Sequence, residues 1–252
     1  MPFLKRISVD WTRLPPQDRN RYPFDIPAIR GLEALDLRTD VTFFVGDNGS
    51  GKSTLLEAIG ESCGFSIVGG KDLVLRKEKD DVTLAEYLRL SWMPKVNGGL
   101  FFRAETFDAF ADYIDEMAKD PYIGRGAYAP YGGKSLHERS HGQAFLSFIG
   151  GRFGRQGLYL LDEPESALSP QNQLTFLAVL RDMERSGIAQ FIIATHSPIL
   201  MAYPGADILQ FDGDSIRRAE YEDTEHYRLT RDFLNHRERY FRNLFDEEDE
   251  LE

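Results

Sequence analysis

The sequence has a single cysteine, Cys63, in 252 residues, so no internal disulfide can staple the chain. That thiol reads as a small packed hydrophobe. No apolar run approaches the roughly 18–20 residues that a membrane-crossing helix needs. Residues 1–10 are too polar to form the apolar region of a secretory leader. Positive charge is in deficit, with 30 Lys and Arg against 41 Asp and Glu and a net charge of −11. That balance disfavours broad non-specific binding to nucleic acid, which phosphate neutralisation drives. Two local clusters run against it (Arg13, Arg19 and Arg21; Arg237, Arg239 and Arg242), and both read as solvated faces. Residues 54–139 carry no sustained heptad pattern, which excludes long coiled-coil arms, and there is no internal repeat. These absences predict a cytoplasmic protein without membrane insertion, long enough for a sizeable core.

What is present is concentrated in a few short stretches. Residues 46–53, GDNGSGKS, fit the pattern G-x-x-x-x-G-K-[ST]. A β-branched and aromatic run, Val41-Thr42-Phe43-Phe44-Val45, precedes them and predicts a buried strand. A segment with helical apolar spacing follows from Ser53 to Ile59. Strand, glycine-rich turn and helix together let backbone N–H groups and a helix N-terminus surround phosphates. The sequence therefore predicts a nucleoside triphosphate site formed by Gly46, Asp47, Asn48, Gly49, Ser50, Gly51, Lys52, Ser53 and Thr54. Lys52 would reach the β- and γ-phosphates, and the Ser53 hydroxyl would ligate Mg²⁺. No N-K-x-D sequence is present to read guanine, which points to ATP.

Two further apolar strands are predicted to deliver polar groups to the same crevice. Leu158-Tyr159-Leu160-Leu161 runs into Asp162 and Glu163. A strand apolar at every position is buried on both faces of a parallel sheet, so its carboxyl end faces the ligand. Asp162 is the candidate Mg²⁺ holder, through a water, and Glu163 the candidate to orient and deprotonate the attacking water. Gln190-Phe191-Ile192-Ile193-Ala194 is a similar strand ending in Thr195-His196-Ser197-Pro198. His196 is the candidate to hydrogen-bond the γ-phosphate or the attacking water.

In this order the elements resemble the ATP-binding-cassette class of P-loop ATPases. The resemblance rests on the phosphate loop, the Walker B stretch LYLLDEP at 158–164, the D-loop-like SALSP at 166–170 and the switch residue His196. Ser140-His141-Gly142-Gln143 resembles the class signature LSGGQ. It implies that Ser140 and Gly142 meet the γ-phosphate held by a partner subunit, with Ala144 to Ile149 as the helix they open. The resemblance further implies an ATP-bound homodimer that sandwiches two nucleotides head to tail. Transporter cassettes usually read D-E-P-T-S-A-L-D after Walker B, whereas this chain has DEPESALSP. That stretch looks more like the soluble SMC, RecF and OLD ATPases and the small stand-alone "AAA family" ATPases. The chain departs from the class by having no glutamine between Ser53 and Gln143, so the Q-loop residue is missing. Arg103 or Glu105, at the end of the strand Leu100 to Glu105, stands in its place. Class members stack adenine on an aromatic ring upstream of the phosphate loop, and Tyr22 is the candidate here.

One motif competes with this reading. Residues 137–141, His-Glu-Arg-Ser-His, are a literal H-E-x-x-H, the zinc-protease pattern. Gly132, Gly133 and Gly142 flank it and make a poor continuous helix, and Arg139 would stand beside the metal. The expectation is that it holds no metal.

The remaining pattern predicts an α/β P-loop fold with a mixed central sheet, an antiparallel β flank and a small helical subdomain. One ATPase domain spans residues 1–245, with the signature subdomain at about 105–154 and an acidic disordered tail at 246–252. The flank comprises strands at 3–9 and 31–37. Helices are expected at 82–90, 106–119, 170–185 and 230–245, a loop at 120–134, and a hairpin about Asp212-Gly213. What ATP turnover drives is left open between DNA repair or defence, with a nucleic-acid or effector partner, and energising a separate membrane or effector protein.

Overall fold

The computed structural model of the protein describes residues 1–65, 67–68, 82–152 and 154–245. The acidic segment 246–252 lies outside the described residues. In chain order the elements are β1 (Leu4–Val9), α1 (Pro27–Arg30), β2 (Ala34–Asp36), β3 (Val41–Val45), α2 (Lys52–Ser62), β4 (Ile67–Val68) and β5 (Leu88–Trp92). They continue with β6 (Gly99–Arg103), α3 (Phe107–Lys119), α4 (His141–Arg152), β7 (Gly157–Asp162), α5 (Pro170–Ser186) and β8 (Ala189–Ala194). The last are α6 (Pro198–Met201), β9 (Asp207–Asp212), β10 (Ser215–Arg218) and α7 (Glu225–Phe245).

The central sheet has the order β10-β9-β3-β8-β7-β6-β4. Every neighbouring pair is parallel except the β9–β10 hairpin. All residues of β3, β7 and β8 are buried, as parallel strands covered on both faces require. Within these apolar runs the period of two still sorts side chains between the faces. Phe43, Tyr159, Leu161, Phe191 and Ile193 face a core shared with α3, α4 and α5. Phe44, Leu158, Leu160, Ile192 and Ala194 face one shared with α2 and the N-terminal elements. Helix α2 closes its side with Leu55, Leu56 and Ile59, all fully buried.

On the other face, aromatic rings fasten the helical segment to β6. Phe102 of β6 meets Phe107, Phe145 and Phe148 with ring centroids 5.7, 4.8 and 5.4 Å away. Tilted and edge-on contacts of this kind add to the area that the rings bury. Tyr131 packs edge-on against Phe110 at 5.7 Å.

A second sheet, β2-β1-β5, is antiparallel. A fully buried glutamine on β8 ties it to the central sheet. Gln190 Oε1 accepts from Leu4 N–H at 2.8 Å, and Gln190 Nε2 donates to Leu4 C=O at 3.0 Å. The side-chain amide thus stands in for one residue of a neighbouring strand.

Three expectations about local structure are corrected. Residues 82–90 are not a helix: a single 3-10 turn, Leu84–Tyr87, leads straight into β5. Leu84 and Leu88 have helical spacing, but Leu88, Leu90 and Trp92 also alternate. The open edge of β1 offers them a ladder, and tertiary pairing decides. Residues 120–134 are not all loop, because a 3-10 run, Gly124–Tyr131, buries Tyr131. The last helix starts at Glu225 rather than Thr230 and has a non-helical residue, His236, inside it. The helices at 107–119 and 170–186 and the hairpin through Asp212-Gly213 form as predicted.

Gln190→Leu keeps the volume but leaves the Leu4 N–H and C=O buried without partners. Each orphaned group costs roughly 1–3 kcal/mol. Urea unfolding should show a loss of at least about 2 kcal/mol for the variant.

Candidate functional site

Three strand ends of the parallel sheet, those of β3, β7 and β8, open onto one crevice. The loop between β3 and α2 turns back on itself through positive φ at Gly46 (141°) and Gly51 (101°). A Cβ on Gly46 would stand 2.4 Å from the Phe211 carbonyl oxygen. Lys52 opens α2 and is buried. Its Nζ donates to the carbonyls of Gly46 at 2.7 Å and Asp47 at 2.8 Å, so the ammonium lies curled against its own loop. Burial pushes its pKa down, opposed by Glu163 and Asp162. Ser50 Oγ is buried in the same loop with no hydrogen-bond partner.

Asp162 ends β7 with a side chain only 5% exposed. Ser53 Oγ donates to its Oδ1 at 2.9 Å, and Arg103 Nε donates to its Oδ2 at 3.1 Å. Burial pushes the carboxyl pKa up, and the Arg103 charge and the Ser53 hydroxyl oppose that rise. Arg103 Nη2 also reaches Glu57 on α2 at 3.5 Å. Burial works against the guanidinium charge, yet Asp162 and Glu57 hold its pKa above the ordinary value. Of the two residues expected where the glutamine is missing, Arg103 makes these contacts, while Glu105 lines the crevice. Ser53 and Asp162 are adjacent hard oxygen donors, the set that suits Mg²⁺.

Glu163 follows in the left-handed region, at φ 49° and ψ 49°. It is the one non-glycine residue with positive φ among the described residues. Such a conformation costs on the order of 1–3 kcal/mol and gathers at functional sites. Here the Glu163 N–H donates to Ala194 C=O on β8 at 2.9 Å, which turns the side chain toward the crevice. His196 follows β8, and its N–H donates to Glu165 Oε1 at 2.6 Å. The ring Nε2 is buried without a hydrogen-bond partner, 3.6 Å from Glu163 Oε1. The ring Nδ1 lies 2.8 Å from Nε2 of His226, in the first turn of α7. Burial, then Lys52, then His226 push the His196 pKa down to about 4. Burial also lowers that of His226. No motif pointed to His226, because the pairing spans 30 residues and depends on where α7 docks.

Two adjoining cavities result. One of about 580 Å³ is lined by Asp47, Asn48, Glu105, Glu163, His196 and His226. The other, of about 510 Å³, is lined by Asn48, Gly49, Gly51, Lys52, Ser53, Thr54 and Glu163, and by residues 22 and 25–27. Tyr22 edges the second with its hydroxyl 3.3 Å from Thr54 Oγ1, and the residue is 68% exposed. Ser140 and Gly142 line neither cavity. Ser140 instead caps α4 reciprocally, with Gln143 N–H donating to its Oγ and its own N–H donating to Gln143 Oε1, both at 3.4 Å. A Cβ on Gly142 would sit 2.1 Å from Asn172 Nδ2, so a larger residue there would have to displace the Asn172 side chain. The H-E-x-x-H stretch is split between a 3-10 turn and α4. His137 pairs with Asp112 at 2.9 Å and His141 with Asp108 at 3.6 Å. No metal-binding cluster occurs among the described residues.

Comparison with known proteins places this geometry. Residues 140–202 match the family described as "AAA domain, putative AbiEii toxin, Type IV TA system", and residues 24–86 match one described as "AAA domain". The chain is 25% identical over 190 residues to a putative ABC transporter ATP-binding protein of Methanothermobacter marburgensis, covering 71% of this chain and 68% of that protein. It is 30% identical over 185 residues to the hemin import ATP-binding protein of Pseudomonas aeruginosa, covering 66% of this chain and 70% of that one. The chain belongs to the ABC ATPases. This ABC ATPase also shares its fold with the ADP conformation of an ATP-binding cassette of an ABC transporter, at TM-score 0.54 and 14% identity over 94% of this chain and 96% of that one. Membership makes it an ATP-binding protein and an ATP hydrolase. The α/β fold, with its mixed central sheet and antiparallel flank, is the one expected.

The lowered pKa of His196 has a consequence for stability. An unfolded histidine takes up a proton near pH 6.5, whereas folded His196 resists it until about pH 4. Proton uptake by the unfolded chain alone should make stability fall as pH drops from about 6.5 to about 4. The urea midpoint measured across that range should fall, and more gently in His196→Gln.

Proposed function

We propose that this ABC ATPase hydrolyses ATP between two copies of itself, paired head to tail, and that it works in the manner of the soluble SMC-, RecF- and OLD-like relatives. The observation that carries the chemistry is the convergence of Lys52, Ser53, Asp162, Glu163 and His196 on one crevice at the strand ends. Lys52 leaves the Gly46 and Asp47 carbonyls and pairs with the β- and γ-phosphates, while the N–H groups of residues 46–53 and the N-terminus of α2 surround the chain of phosphates. Ser53 and Asp162 would hold Mg²⁺, which neutralises phosphate charge when bound. Glu163 accepts a proton from the attacking water as its oxygen forms the new bond to the γ-phosphorus and the bond to the ADP oxygen breaks. His196 donates from Nε2 to the γ-phosphate. Tyr22 covers the adenine.

Ser140 and Gly142 lie away from both cavities, which supports a second copy bringing them to the phosphates. ATP would then hold the pair together, and hydrolysis would release it. The soluble reading is supported by DEPESALSP and by Arg103 where transporter cassettes carry a glutamine. The alternative, an energising subunit for a membrane partner, is favoured by the transport names of several relatives. No helix among the described residues is long and apolar enough to cross a membrane. The process served would be DNA repair or defence under the first reading.

Lys52→Ala should abolish nucleotide binding or turnover, measured by a fluorescent ATP analogue and phosphate release. Glu163→Gln should bind ATP, hydrolyse it at least about 100-fold more slowly, and double in mass with Mg-ATP in light scattering. An unchanged mass would remove the paired mechanism. Arg103→Gln frees one oxygen of Asp162 from a competing cation, so the Mg²⁺ concentration that half-saturates nucleotide binding should fall several-fold in a metal titration.

A further inference from the structure

His196 and His226 share one hydrogen bond, and its direction decides what His196 can do. With Nδ1 of His196 2.8 Å from Nε2 of His226, one proton lies between the two rings. If His196 supplies it, its Nε2 is bare and can only accept. If His226 supplies it, His196 Nδ1 accepts and Nε2 carries a proton. The surroundings distinguish the two cases. The Nε2 atom is buried with no hydrogen-bond partner, and the group facing it, 3.6 Å away, is the Glu163 carboxylate. An ionised carboxylate only accepts, so an Nε2–H toward it is the favoured arrangement. A phosphate oxygen entering the same space also accepts.

We propose that His226 is a positioning residue that fixes His196 as the Nε2–H tautomer, so that His196 meets the γ-phosphate as a donor. The two rings are set for this by tilted contact, with centroids 4.9 Å apart. The start of α7 is held in turn by Tyr221, whose hydroxyl donates to Pro198 C=O at 3.0 Å, two residues beyond His196. No residue of α7 is fully buried, so this first turn is where the helix is polar-bonded to the switch segment. The placement of α7 thereby controls the chemistry of a group that lines the same cavity as Asp47 and Asn48 of the phosphate loop. The inference rests on the proposed role of His196 and adds a residue to it.

The test uses the full chain with two substitutions. His226→Gln can place an amide N–H where the Nε2–H stood, whereas His226→Leu removes the donor. ¹⁵N NMR of the ring nitrogens reads the His196 tautomer without nucleotide, and steady-state hydrolysis gives kcat and KM separately. Wild type and His226→Gln should show a protonated Nε2 on His196. His226→Leu should raise the share of the Nδ1–H tautomer and lower kcat by roughly 10- to 100-fold with little change in KM, the scale of loss when a residue that orients a histidine from behind is removed. The proposal is overturned if His226→Leu shows the wild-type tautomer ratio, or if His226→Gln falls as far as His226→Leu. If wild type hydrolysed no ATP, the proposed function would fail, while the NMR comparison would still decide the tautomer.

Discussion

The carboxylate of Asp162 joins three elements at the point where they must agree. It ends β7, takes one hydrogen bond from Ser53 at the start of α2, and takes a charged one from Arg103 at the end of β6. Arg103 closes the circuit by reaching Glu57 on α2. Burying a carboxylate is costly unless it is paired and hydrogen-bonded, and here both oxygens are engaged. The phosphate loop cannot shift relative to the sheet without breaking one of these contacts. The next residue, Glu163, takes its positive φ from the same frame, because its N–H is fixed to Ala194 on the neighbouring strand.

The protein has a net charge of −11, and acidic Asp47, Glu105 and Glu163 line the crevice alongside Lys52. Arg103 is paired with Asp162 and Glu57. Under the proposed function a polyphosphate would be recognised by local donors and a helix end rather than by the field of the whole molecule. The charged forms of the two histidines are disfavoured: both lie partly buried, and Lys52 stands near them. A neutral ring can donate from one nitrogen while accepting at the other, which is what gives the His196–His226 pair its direction.

Two sheets must hold together for this frame to form. The parallel sheet is covered by helices on both faces, and its apolar strands need no alternation to be stable. The antiparallel sheet meets it through Gln190 and Leu4, a polar clamp inside the core. On the other side, rings from β6, α3 and α4 interlock.

The phosphate loop, the acidic end of β7 and the histidine after β8 were legible in the sequence, because each is a short pattern whose chemistry depends on neighbours along the chain. The buried strands were legible for the same reason, since an uninterrupted run such as Phe191 to Ala194 has only one comfortable environment. Residues 82–90 were misread because Leu84 and Leu88 suit a helix as well as a turn, and the free edge of β1 settled the matter. His226, the Gln190 clamp and the Arg103–Asp162 pair join residues 30, 186 and 59 positions apart. Such contacts leave no local periodicity. The sequence alone thus determined the buried parallel strands and the loop and carboxyl ends that carry the candidate residues, through local pattern and burial. Tertiary structure decided which polar groups meet across the crevice, because that depends on how separately formed elements dock.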